Sequence, residues 1–199
     1  MYYSVSIKTI IIVIVAAAIL TLLSSVLHLS YAQTNQDLAN EILAVHNMER
    51  TAVGVSPLTW KDNLAADAQT WAQHIASTGQ FVHDPVHTGL SCTGPCYGEN
   101  LAGFITGVSE PNGGQSTWVN EKSNFAGGPY NSPYPPGCTP LVDCKVVGHY
   151  TQMVWQNTRE VGCGTAPPGA GGLHYSILVC RYDPPGNYPG QYPYPPSRR

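Results

Sequence analysis

The sequence predicts an α+β domain, and three observations carry that prediction. Apolar residues recur at helical spacing over 37–50, where Leu38, Ile42, Val45 and Met48 share a face, and again over 59–79. Two apolar stretches rich in β-branched residues, 161–166 and 175–182, are separated by Pro167-Pro168-Gly169 and Gly171-Gly172, the pattern of a hairpin. The segments 83–98 and 126–140 carry too many Gly and Pro residues to form regular elements.

The elements follow in order. Asn35 stands where a cap for the first helix is needed. Thr59-Trp60-Lys61-Asp62 reads as a capping box for the second helix. Trp60, Leu64, Ala68, Trp71 and Ile75 line its apolar face, and Gly79 ends it. A third helix is predicted over 116–124 with Trp118 inward, and a short helical segment over 151–155. Residues 191–199 are read as a Pro-rich, disordered tail.

The first 32 residues have the order of a secretory signal. Lys8 precedes an unbroken apolar run over 10–20, and Ser30-Tyr31-Ala32 supplies small residues at a cleavage point. Cutting after Ala32 leaves 167 of the 199 residues. The alternative is an uncleaved membrane anchor over 10–27, which borders on spanning length. Without Lys8 the chain holds 8 basic against 12 acidic residues, which offers no basic footprint for a phosphate backbone and argues against nucleic acid as a partner. Charged residues make up 11% of the chain, far below the roughly 25% usual in soluble domains. With six cysteines and many Gly and Pro residues, this composition suits a loop-rich extracellular protein held by disulfides. Spacing alone does not choose among the pairings.

Two runs are more specific. Gly148-His149-Tyr150-Thr151-Gln152-Met153-Val154-Trp155-Gln156-Asn157-Thr158, followed by Val161-Gly162-Cys163-Gly164, and Cys180-Arg181-Tyr182-Asp183-Pro184-Pro185-Gly186-Asn187-Tyr188 resemble the two signatures of the CAP superfamily. This group contains secreted proteins related to plant pathogenesis-related protein 1, cysteine-rich secretory proteins and insect venom antigen 5. The resemblance implies a three-layer α-β-α sandwich with a small antiparallel sheet over 36–190. It also implies disulfides Cys163 to Cys180 and Cys138 to Cys144, which leaves Cys92 and Cys96 to pair with each other, a departure from the plant pattern.

The resemblance further implies a cleft holding two histidines and two glutamates, matched here by His83, Glu99, Glu121 and His149. Two imidazoles and two carboxylates suit zinc or another divalent metal. The same four residues also suit a purely structural pair of hydrogen-bonded contacts. His46 and Arg50 match a motif of the first helix and are read as structural, Arg50 as a tie to a neighbouring element. His74 is read as exposed, and Pro85 denies His83 and His87 the helical geometry of a metal pair. His-Glu-x-x-His, Gly-x-Ser-x-Gly and a Gly-rich phosphate loop are absent from the sequence.

Three functions are therefore expected to compete. The first is a secreted, non-enzymatic binding module for an apolar ligand, a sterol or fatty acid, with Phe125, Tyr130 and Tyr134 as covering rings. The second is a metal-dependent extracellular hydrolase, a peptidase or glycosidase, working in the same cleft. The third is a cell-surface interaction protein without a small ligand. Oligomeric state is open.

Overall fold

The computed structural model describes residues 7–89, 92–105, 111–132 and 146–196. Two compact units divide the chain, Met1–Leu38 and Ala39–Arg199. The first, taken by itself, is helical from Ile7, with Val15, Ile19, Leu20, Leu22 and Leu23 exposed. Among the described residues no helix is long and apolar enough to cross a membrane.

The second unit holds the fold. The elements in chain order are helix α1 (Ile7–Ala52), β1 (Thr59–Trp60), α2 (Asp62–Thr78), β2 (Gly98–Phe104), α3 (Pro111–Asn120), a 3-10 turn (Glu121–Asn124), α4 (Gly148–Met153), β3 (Glu160–Ala166) and β4 (Ser176–Asp183). The four strands form one sheet in the order β1-β3-β4-β2. β4 runs antiparallel to both neighbours, and the two-residue β1 pairs parallel with β3. Helix α2 packs on β3 and β4, while α3 and α4 pack on β2, giving an α+β sandwich.

β4 is buried on both faces from Ser176 to Tyr182, as a central strand covered by helices on both sides must be. Alternation along the strand sends Ile177 and Val179 into a cluster with Ala68, Ala72, Ile75 and Ala76 of α2. The opposite parity carries Tyr182 toward His46 of α1. Small residues set the spacing on the α2 side. A Cβ on Gly164 would collide with the backbone nitrogen and Cα of Gln69, and one on Gly162 with the backbone of Ala65 and Lys61. The helix therefore lies directly on the strand, and the Gln69 side chain completes the contact by donating to Thr165 O at 2.8 Å and accepting from Thr165 N at 3.0 Å.

The hairpin forms as its sequence predicts, with Cys163 and Cys180 directly opposite and joined by a disulfide. Cys92 and Cys96 also pair. Cys138 and Cys144 lie outside the described residues.

Several details differ from the sequence reading. Helix α1 does not start at Asn35, because the helical backbone continues from Ile7. Its buried face overlaps the predicted apolar one only in part: Ile42 is buried but Met48 is 61% exposed, whereas His46, Glu49 and Arg50 are buried. Thr59 does not cap α2. It pairs in β1, and the cap position falls on Lys61, which makes no side-chain cap bond. Gly79 does end the helix in a left-handed conformation, φ 74°, its N–H reaching Ile75 O. The third helix starts earlier than predicted, at Pro111, and tightens to a 3-10 turn at Glu121. β1 and β2 were not anticipated. Residues 191–196, expected as an unpacked tail, return to the body through bonds from Tyr130 N to Gln191 O and from Gln156 N to Pro193 O.

Close helix-strand approach makes Gly164 a sensitive position. Gly164→Ala is expected to destabilise the domain by about 1–3 kcal/mol through overpacking, read as a lower urea midpoint, while Gly94→Ala, where an added Cβ makes only ordinary contact with the His87 ring, should cost less.

Candidate functional site

His83 follows α2 on an exposed loop, and Glu99 sits on β2 with its side chain 1% exposed. The His83 Nδ1 lies 2.7 Å from Glu99 Oε1, which also accepts from Asp84 N at 3.2 Å. Glu121 opens the 3-10 turn, and His149 is the second residue of α4. His149 Nδ1 lies 2.6 Å from Glu121 Oε1, while Oε2 accepts from His149 N at 2.9 Å and Tyr150 N at 3.1 Å. The Glu121 carboxylate thereby serves the free N–H groups at the start of α4, where Val147 supplies no side-chain cap. Stacking of the His149 ring on Trp118, centroids 5.9 Å apart, fixes its plane.

The four residues predicted for the cleft form two separate His–Glu pairs, His83 with Glu99 and His149 with Glu121. Glu99 and Asn100 are successive residues of β2 and face opposite sides of the sheet. Glu99 belongs to the side of α2, through Arg181 and Asp67. Asn100 belongs to the side of α4 and donates to His149 O at 3.0 Å. Among the described residues no group of three or more His, Cys, Asp and Glu side chains converges closely enough to hold a metal ion.

Each pair has the same chemistry. With Nδ1–H donated to a carboxylate, the neutral imidazole carries its lone pair on Nε2, so both rings present one ligating nitrogen while the carboxylates act as orienters.

Two buried networks support the pairs; of their members the sequence marks only His46 and Arg50 as structural. Arg181, wholly buried in the middle of β4, donates to Asp84 Oδ2 at 2.8 Å and lies 3.3 Å from Asp67 Oδ2. Its Nε is 3.2 Å from Glu99 Oε2, at an angle that makes the contact electrostatic rather than an aligned hydrogen bond. Burial by itself would raise the Asp84 carboxyl, but bonds from Arg181, His87 and Val86 N bring it down to about 2. His87 is held to Asp84 at 2.9 Å, and its backbone carbonyl accepts from Tyr97 N just after the Cys92–Cys96 bridge. His74 stacks on Trp71 at the surface. A cation within the apolar run Ile177-Leu178-Val179-Cys180-Arg181-Tyr182 was the sequence signal available for the first network.

The second network runs through the other face. His46 Nδ1 donates toward Ile42 O at 2.9 Å and Gln115 Oε1 at 3.0 Å, so its Nε2 accepts from Tyr182 OH at 2.8 Å. Asn100 Nδ2 donates to Tyr182 OH at 3.1 Å as well as to His149 O. Arg50 fastens the same region, donating to Met153 O, Trp155 O and Thr158 O at 2.9–3.0 Å and to Ser56 O at 2.7 Å.

The rings expected to cover an apolar ligand are themselves covered. Tyr130 is 8% exposed and meets Trp155 edge-on at 6.2 Å. Phe125 meets Tyr194 edge-on at 5.9 Å. Tyr134 lies outside the described residues.

A sandwich carrying paired His and Glu residues beside the two signature segments defines the class. The profile of the CAP, or cysteine-rich secretory protein, family matches residues 43–182, and the chain belongs to that family. Pathogenesis-related protein 1 of Arabidopsis thaliana is 38% identical over 162 residues, which covers 80% of this chain and 84% of that protein. Pathogenesis-related protein 1C of Nicotiana tabacum is 37% identical over 171 residues, 84% and 85% of the two chains. Among solved structures, hookworm platelet inhibitor aligns with a TM-score of 0.56 at 17% identity, covering 79% of this chain and 75% of that one. NaASP2 with Zn2+ aligns with a TM-score of 0.55 at 22% identity, covering 78% and 84%. These two likenesses concern the fold.

Burial drives the His46 imidazole down to about 4. The folded ring therefore stays neutral where the unfolded ring, near 6.5, takes a proton. Between those values the unfolded state binds more protons, so stability falls on acidification by about 1.4 kcal/mol per pH unit from this group. Urea unfolding followed from about pH 7 to about pH 4 should show that slope, and His46→Gln should flatten it.

Proposed function

We propose that this chain is a secreted, non-enzymatic binding protein whose two carboxylate-oriented histidines take a divalent ion, zinc in the first instance. The supporting observation is the pairing itself: His83 on Glu99 and His149 on Glu121, each through Nδ1. The donor set fits zinc to a limited degree. Two neutral imidazole nitrogens would ligate, and the carboxylates are engaged as outer partners, leaving the remaining positions to water or an exogenous ligand. NaASP2, with Zn2+, shares the fold. A bound zinc would polarise or activate an oxygen ligand, but no serine or cysteine nucleophile motif accompanies the histidines, which favours binding over hydrolysis.

A second ligand reading rests on a separate observation. Tyr130 meets Trp155 edge-on and Trp155 lies tilted against Tyr188, while Phe125 meets Tyr194 edge-on; these aromatic contacts support a sterol or fatty acid as ligand. Export is part of the same reading, with residues 1–32 as a cleaved signal. The exposed apolar side chains of the N-terminal unit and the two disulfides support it.

Isothermal calorimetry tests the metal. Zinc binding is expected in the wild type, to weaken on acidification because protonated rings have no lone pair, and to vanish in His83→Ala with His149→Ala. Glu99→Gln or Glu121→Gln should weaken it about tenfold or more while leaving it measurable. Unchanged affinity in the double variant would remove the metal site.

A further inference from the structure

The C-terminal segment 188–196 is attached to the body in an unusual way. Three consecutive carbonyls each receive a donor: Gln191 O from Tyr130 N, Tyr192 O from Gln156 Nε2 and Pro193 O from Gln156 N. In return the segment offers Tyr130 O the N–H of Gly190. Four of its nine residues are Pro189, Pro193, Pro195 and Pro196, which have no N–H to give. Tyr188 and Tyr192 remain 43% and 41% exposed, and only Pro193 is buried.

What lies beneath is far better buried than the cover. Trp155 is 0% exposed, Tyr150 1% and Tyr130 8%. Trp155 touches both Tyr130 and Tyr188, and the Tyr150 hydroxyl lies within electrostatic reach of Tyr194 of the segment. Among the described residues both Trp155 Nε1 and the Tyr150 hydroxyl are buried without a hydrogen-bond partner. A buried donor without an acceptor costs free energy that an incoming oxygen recovers. The body under the segment is held independently, since Arg50 binds the carbonyls of Met153 and Trp155. A proline-rich cover held by the four hydrogen bonds to Tyr130 and Gln156 over a buried aromatic floor has few bonds to break on opening.

We infer that residues 188–196 are a displaceable strap over an aromatic site formed by Phe125, Tyr130, Tyr150 and Trp155, and that an apolar ligand carrying an oxygen acceptor takes the strap's place. This rests on the sterol or fatty acid reading above and adds to it the gate, the floor and the need for an oxygen. The strap competes with the ligand, so the apparent affinity of the wild type is reduced by the fraction of molecules in which the strap is closed.

The test uses the full chain and a fluorescent sterol, dehydroergosterol, as probe. Hydrogen exchange at the amides of Gly190 and Tyr130 reports strap closure directly, because those two N–H groups bond across it. Saturable binding is expected, with exchange at both amides accelerating at saturation. Tyr194→Ser, which frees Phe125, should bind about tenfold more tightly, and Tyr150→Phe more weakly. Saturable binding with the protection of Gly190 and Tyr130 unchanged would overturn the strap while leaving the apolar-ligand reading intact. No saturable binding by either the wild type or Tyr194→Ser would remove that reading and the inference together.

Discussion

Everything around the site depends on the buried guanidinium of Arg50. It donates to the carbonyls of Ser56, Met153, Trp155 and Thr158, and so joins the end of α1 to the segment that carries the first signature. The last carbonyls of a helix as short as α4 have no intrahelical partners, and Arg50 supplies charge-assisted donors to them and to Trp155 O, which Thr158 N also reaches. Burial lowers the Arg50 pKa to about 10, so the group remains a cation at neutral pH and its bonds remain charge-assisted. A planar fork reaches several carbonyls from one fixed position, which a lysine ammonium on a flexible stem does not. With α4 held in this way, His149 at its start has a defined origin.

The scarcity of charge in this chain takes on a meaning from the same standpoint. Arg181 is buried among Asp67, Asp84 and Glu99, and Glu49 pairs with Lys122 at 2.8 Å. Buried pairs of this kind add little net stability over a well-packed apolar core, yet a partner left alone is costly. They therefore act as alignment constraints. Arg181 aligns Glu99 for His83 on one face of the sheet, and His46, Tyr182 and Asn100 align the His149 backbone on the other. The two networks come from adjacent residues of β4, Arg181 and Tyr182, and adjacent residues of β2, Glu99 and Asn100. A single register between two strands thus sets both halves of the site.

Both carboxylates are occupied in this arrangement, Glu121 through hydrogen bonds at both oxygens and Glu99 through hydrogen bonds at Oε1 and an ion pair at Oε2. Glu121 serves His149 and two helix N–H groups, and Glu99 serves His83, Asp84 N and Arg181. A carboxylate so occupied orients and buffers charge more readily than it attacks or relays protons, and that is the chemical ground for a binding protein over a hydrolase.

The family resemblance supplied the Cys163–Cys180 pairing and the choice of His83, Glu99, Glu121 and His149, whereas the family itself and the hairpin were legible in the sequence alone. These are local or contiguous signals: the His149 and Cys180 signature runs, β-branched runs between breakers, and Gly79 past the end of a helix. The sequence did not reveal the two-residue β1, because so short a strand has no period of its own and exists only through pairing with β3. Periodicity described the buried face of α1 only in part, since it selects Met48 along with Ile42, whereas the protein buries Ile42 together with His46, Glu49 and Arg50. Polar residues enter a core only when partners distant in sequence satisfy them, such as Tyr182 for His46 or Trp155 for Arg50. The same reason hid Asp84, Asn100 and Arg181. Only the tertiary structure decided that the four cleft residues pair off as two carboxylate-oriented imidazoles, because alternation along β2 sends Glu99 and Asn100 to opposite faces, and strand direction is a property of the folded sheet rather than of any one segment.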